Sequence, residues 1–220
     1  MGYRLRDGVS FCETSGRLLF LDVRRDRYFC LTGPTEDAFR RLVRRQAKHG
    51  DAAHLAGCIS DGLLLPAGDG MIPEPCVLAM PESSALDAPG HRHPASGIFG
   101  AVVRLASSEL ALRVFRLHGV LRGVARHKAR TPGAVTVTPA MLAAPAQIFH
   151  AAALLASPLD RCLPRGIATT HRYLSLGIAV DLVLGVKLQP FAAHCWVQCG
   201  PVLLNDRIDT VRTFTPILVL

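Results

Sequence analysis

Three residues in the last third of this 220-residue chain could do chemistry together: Cys162, His194 and Asp206. A thiol attacks a carbonyl as its thiolate, an imidazole takes and returns the proton, and a carboxylate holds the imidazole in one tautomer. Cys162 opens a helical run with Pro164 in its first turn, apolar Leu163, Ile167, Leu174 and Leu176 behind it, and Gly177 at its end. The unpaired N–H groups and the positive dipole end of a helix start favour thiolate over thiol. Three strands are predicted next, over 180–188, 194–199 and 202–206, the last after a Gly200-Pro201 turn. Period-two alternation puts His194, Trp196 and Gln198 on one face and Cys195, Val197 and Cys199 on the other, so Cys195 and Cys199 read as structural. Facing the helix start, His194 could take the thiol proton while Asp206 orients the ring.

Two other readings compete for these residues. A lone cysteine and a lone strand histidine are each more often packing residues than catalysts. A zinc site from Cys162, His194, Cys195 and Cys199 meets the objection that adjacent strand residues point to opposite faces, and no second Cys-x-x-Cys completes it. His91 and His93 form a His-x-His pair in a loop, short of the four ligands a closed site needs. No metal is expected.

Composition limits the remaining function classes. Half of the residues are apolar and 19% are charged, which describes a folded chain rather than a disordered one. The net charge of +8 comes from arginines scattered along the chain, at Arg24, Arg25, Arg27, Arg40, Arg41, Arg44, Arg45 and between Arg113 and Arg130. They form no face interleaved with aromatics, so solvated helix surfaces or an acidic peptide partner fit better than nucleic acid. No charged start followed by an apolar run marks a signal peptide. The longest apolar stretch, 141–159, is broken by Pro145, Gln147, His150 and Pro158 and suits a membrane span poorly. Seven cysteines without framework spacing then read as reduced thiols of a cytoplasmic protein.

The elements that must position the centre fall into two blocks. An edge strand over 3–11, a firmer strand over 17–23 and a third over 27–31, joined to the second by the charged turn Arg24-Arg25-Asp26, are followed by helices over 35–43 and 52–59. A short apolar run, 63–65, precedes Pro66. Such a small α+β module of winged-helix type offers a sheet edge that can accept an extended peptide, with the neighbouring helix lining it. From Gly68 to Gly97 five prolines and four glycines mark a boundary. The expected division is a module over 1–80, a linker over 81–98 and a second domain over 99–220. In the second domain, amphipathic helices between 99 and 124 and an alanine-rich helix over 139–156, restarting near Pro145, support the sheet.

The span CLPR…LGI…DLVLGVKL…AHCWVQ…VLLND resembles the transglutaminase-like cysteine peptidase of lasso-peptide biosynthesis, through a CLPR motif, a Gly-Val strand, a His-x-Trp-Val motif and an Asn-Asp motif. Departures are Gly166 where serine is common, Cys195 for alanine and Gln198 for glutamate; none falls on the three candidate residues. The N-terminal pieces, Asp22, Arg27-Tyr28-Phe29-Cys30-Leu31 and the helix from Thr35 to Leu42, resemble a PqqD-like leader-recognition domain, and fused proteins of that family join the two modules in this order. The resemblance implies an α+β protein with a papain- or transglutaminase-like peptidase domain that cuts leader from core peptide. Cys162 would be nucleophile, His194 base and then acid, Asp206 orienter, and the Cys162 backbone N–H part of the oxyanion hole. Arg27, Tyr28, Phe29 and Leu31 would bind the leader. The implied partners are the ribosomal precursor and an asparagine-synthetase-like cyclase that uses the ATP; no intrinsic cofactor is implied. A transglutaminase-type acyl transferase and a non-catalytic peptide scaffold are the alternatives.

Overall fold

A computed structural model describes residues 2–89, 94–132, 136–156 and 161–220. His91 and His93 lie outside the described residues. The chain forms two compact units, Met1–Val77 and Leu78–Leu220.

In the first unit, β1 (Gly2–Leu5), β2 (Val9–Thr14), β3 (Arg17–Asp22) and β4 (Arg27–Cys30) precede α1 (Gly33–Val43), α2 (Asp51–Ser60) and β5 (Leu64–Ala67). The single strand expected over 3–11 is thus two. Gly8, at φ 85°, turns the chain in a way other residues rarely allow, so β1 pairs with β5 while β2 starts a separate sheet. That sheet runs β2-β3-β4, with β4 at its edge. Its first hairpin turns through Ser15 and Gly16, both at positive φ, the two-residue geometry that matches strand twist. Register places Phe11, Phe20 and Phe29 side by side across the three strands. Their rings stack at 5.4 and 5.2 Å, and Phe39 of α1 meets Phe11 and Phe20 edge-on. Buried Glu36, in the first turn of α1, accepts the Leu18 N–H and the Arg17 and Arg40 guanidiniums, which fixes α1 to β3.

The second unit begins with β6 (Ser83–Ser84) and a 3-10 turn (Ala85–Asp87), then α3 (Ala95–Arg130), α4 (Pro139–Ala156), α5 (Cys162–Ser175), β7 (Asp181–Leu188), β8 (Phe191–Cys199), β9 (Val202–Leu203), α6 (Ile208–Val211) and β10 (Thr215–Val219). The sheet order is β10-β7-β8-β9-β6, antiparallel except for the β6–β9 pair. Part of the stretch 81–98, expected as linker, is therefore an edge strand and the first turn of α3. The α4 helix runs through Pro145 without restarting. The α3 helix is broken at Arg116, whose φ of 55° and ψ of 175° are not helical.

The α5 helix packs against α3 and α4 on one side and β8 and β7 on the other. Ala168 of α5 sits with Ala101, Leu105, Phe149 and Ala152 of the two helices. His127 of α3 and His171 of α5 meet Nδ1 to Nδ1 at 2.9 Å. On the sheet, Val183, Trp196, Leu203 and Val211 form a further buried cluster. Among the described residues no helix is long and apolar enough to cross a membrane.

Candidate active site

Cys162 is the first residue of α5, as its position before Pro164 and the apolar stripe predicts. Leu176 ends the helix and Gly177, at φ 76°, turns the chain away toward β7. His194 lies on β8 opposite Gly185 of β7. A Cβ at Gly185 would lie 2.3 Å from the Trp196 ring, so the Gly-Val segment is a seat for that tryptophan.

Asp206 does not lie in a strand. Pairing of β9 stops at Leu203, because the Asn205 side chain takes over: its Oδ1 accepts the Val197 N–H at 2.8 Å, while the Leu204 N–H donates to the Val197 carbonyl. Asn205 thereby pins the turn that carries Asp206 against β8. Ser84 of β6 secures the same turn by donating its hydroxyl to the Asp206 backbone carbonyl at 2.8 Å.

The three candidate residues converge. His194 Nε2 lies 2.6 Å from Asp206 Oδ2, and the Cys162 thiol is near enough to the same imidazole to help raise its pKa. With Nε2 given to the carboxylate, Nδ1 is the nitrogen left for sulfur. The ring is 7% exposed and stacks on Phe214 at 5.1 Å, which fixes its plane. Asp206 Oδ1 accepts the Arg207 N–H at 2.7 Å, and Arg165 Nη2 approaches Oδ2 at 3.4 Å.

The electrostatics follow from these contacts. Burial pulls the His194 pKa down, but the hydrogen bond to Asp206, the neighbouring Cys162 thiol and the charges of both outweigh it and push it up to about 9. Burial pushes Asp206 up, yet the His194 bond, the Arg207 N–H and the neighbouring cations hold it below its ordinary value. At neutral pH the imidazole is therefore protonated beside an ionised carboxylate, and an imidazolium stabilises a thiolate.

The faces of β8 separate the other candidates. Cys195 points into the helix interface, where its Sγ lies 2.6 Å from where a Gly166 Cβ would be, and burial raises its thiol pKa strongly. Gln198 accepts from Trp196 Nε1 and donates to the Ala79 and Gly200 carbonyls. A glutamate there could not make the last two bonds. Among the described residues no group of three or more His, Cys, Asp or Glu gathers to hold a metal ion. Arg165, Asn205, Ser84 and Phe214 were not picked out from sequence. Arg165 and Asn205 stood inside quoted motifs, but Ser84 and Phe214 carry no local signal.

Of the N-terminal candidates, Arg27, Phe29 and Leu31 line a cavity of about 590 Å³ between β4 and α2, where His54, Cys58 and Asp61 face them. The Arg27 guanidinium sits 5.1 Å from the centre of the Phe29 ring. Tyr28 is not in that lining; it pairs with Leu21, while Phe29 pairs with Phe20 in the aromatic row.

Comparison with curated proteins finds no match, and comparison with solved structures finds none. A sequence profile of the transglutaminase-like superfamily matches residues 102–219, from the first third of α3 to the last residue of β10. That span contains the helix-borne thiol, the strand-borne imidazole and the turn-borne carboxylate, and the superfamily includes cysteine peptidases and acyltransferases. The profile covers more than half of the sequence, and the chain belongs to the transglutaminase-like superfamily.

Proposed function

We propose that this protein is a leader peptidase of lasso-peptide maturation, which binds the leader of a ribosomal precursor and hydrolyses the leader–core bond. The reading rests on the meeting of Cys162, His194 and Asp206 at the start of α5, together with the four ordered motifs of the sequence. Cys162 attacks the carbonyl of the last leader residue and forms a thioester; the N–H groups of the first turn of α5 lack helical acceptors and face the developing oxyanion. The His194 proton passes to the departing amine of the core peptide. The neutral ring then takes a proton from water, which attacks the thioester and releases the leader as a carboxylate. Asp206 holds the ring through both transfers.

Support for leader binding is the edge position of β4 beside the cavity lined by Arg27, Phe29 and Leu31. An extended peptide adds there as a fourth strand, with alternate side chains entering the cavity. The partner cyclase consumes ATP and closes the freed core amine into a macrolactam.

The test is mass spectrometry of the precursor encoded beside this gene, incubated with wild type and with Cys162→Ala, cyclase and ATP present in both. Wild type alone yields one cut: the masses of leader and linear core sum to precursor plus one water, and those of leader and cyclised core sum to the precursor, because macrolactam closure removes that water again. A leader mass joined to another amine identifies acyl transfer instead. Equal maturation with both proteins removes Cys162 from the chemistry and leaves a peptide-binding scaffold.

A further inference from the structure

We propose that Arg165 is a positioning residue of this centre, tying the Asp206 carboxylate to the helix that carries Cys162. The proposal rests on the thiol reading above. Arg165 follows Cys162 by three residues in α5, so both project from one turn of a rigid element. Its Nη2 reaches the same Asp206 oxygen that His194 holds. Three elements thus meet on one carboxylate: β8 through His194, α5 through Arg165, and the turn itself through the Arg207 N–H. Cys195 of β8 also senses the Asp206 charge, and Cys162 is reached through His194.

Within that set Arg165 is the constant positive charge. His194 gives up its proton to the leaving amine, and in that half of the cycle Asp206 would be a buried anion with no cation beside it. Burying an unpaired charge is costly, and the usual outcome is that the group takes up a proton. A protonated Asp206 no longer holds the ring as a strong acceptor. Arginine stays protonated throughout and prevents this. Its Nε is buried without a hydrogen-bond partner, so the guanidinium has given up solvent on that side while its bond goes to Asp206. The tie also bypasses the imidazole. It sets the spacing of nucleophile helix and carboxylate whichever protonation state the ring is in.

The experiment compares wild type, Arg165→Met and Arg165→Lys, all full-length. Iodoacetamide alkylation of the Cys162 peptide is followed by mass spectrometry across pH, beside kcat and KM on the precursor and the melting temperature of each variant. The acid limb of the wild-type Cys162 profile is the reference. In Arg165→Met that limb moves to higher pH, and kcat falls on the order of 10–100-fold with KM unchanged, the loss expected of a misplaced catalytic group. Lysine recovers part of both, since it restores charge without the planar fork. If the limb and kcat of Arg165→Met match wild type, whatever the melting temperature does, Arg165 only packs and the proposal is overturned. A wild-type Cys162 that alkylates as an ordinary thiol overturns the thiol reading, and this one with it.

Discussion

Gly166 and Cys195 meet across the helix–sheet interface, and both depart from the motif that the sequence resembles. A serine at 166 would place its Cβ 2.6 Å from the Cys195 sulfur, whereas the alanine common at 195 would free that space. The two positions share one volume, which the Cys195 side chain fills and the missing Gly166 side chain leaves free. Gly166→Ser alone is expected to destabilise by about 1–3 kcal/mol through overpacking. Gly166→Ser with Cys195→Ala should recover most of that loss, so urea denaturation of the two singles and the double gives a coupling energy well above additivity. At the centre itself, the direction of each shift sets the pH response. The His194 pKa is raised from 6.5 to about 9, so its contribution is complete below 6.5 and lost as pH rises toward 9. Asp206 is lowered from 3.8, so its contribution is present above 3.8 and lost as pH falls through the lower folded value. Wild type should therefore lose on the order of 1–3 kcal/mol between pH 6.5 and 9 that His194→Asn does not lose. Activity should fall along an alkaline limb near 9, where the ring no longer carries the proton that the leaving amine needs.

At the scale of elements, α5 was legible and the support around it was not. Pro164, the apolar stripe and Gly177 mark the start, face and end of α5 by local chemistry, and the β7–β8–β9 meander follows from alternation and a Gly-Pro turn. The two-residue strand β6 pairs in parallel with a strand more than a hundred residues away, which no local pattern announces. Asp206 was expected on a strand because the apolar run 202–204 leads straight toward it, but Asn205 replaces the backbone ladder with its side chain. The break in α3 is also invisible, since Arg116 is neither glycine nor proline. Its φ of 55° and ψ of 175° belong to a region that side chains beyond glycine resist. Arg116→Gly is expected to stabilise the protein by about 1 kcal/mol, read as a higher melting temperature, because it removes that resistance. A lower melting temperature would show that the Arg116 side chain contributes more than its backbone costs.

For the whole molecule, the reading assigns recognition to one unit and chemistry to the other. Arg27 is exposed at the cavity mouth and lies in the first unit, far in sequence from Cys162. Arg27→Glu is therefore expected to weaken precursor binding at least tenfold at low salt, measured by fluorescence anisotropy, with the Cys162 alkylation profile unchanged. A change in alkylation with normal binding would count against this division of labour.

The short strand at Ser83–Ser84 also decides where the chain can be cut. Composition suggests that the catalytic half begins near residue 99, after the prolines and glycines. A fragment starting there would lose the Ser84 hydroxyl from the Asp206 carbonyl, the partner strand of β9 and the Ala79 carbonyl that Gln198 holds. The edge of the sheet would lie bare beside the catalytic turn. A separable fragment of the second unit must begin no later than Leu78, so the stretch from Ala79 to Ser84 belongs to the wall of the candidate site rather than to a linker.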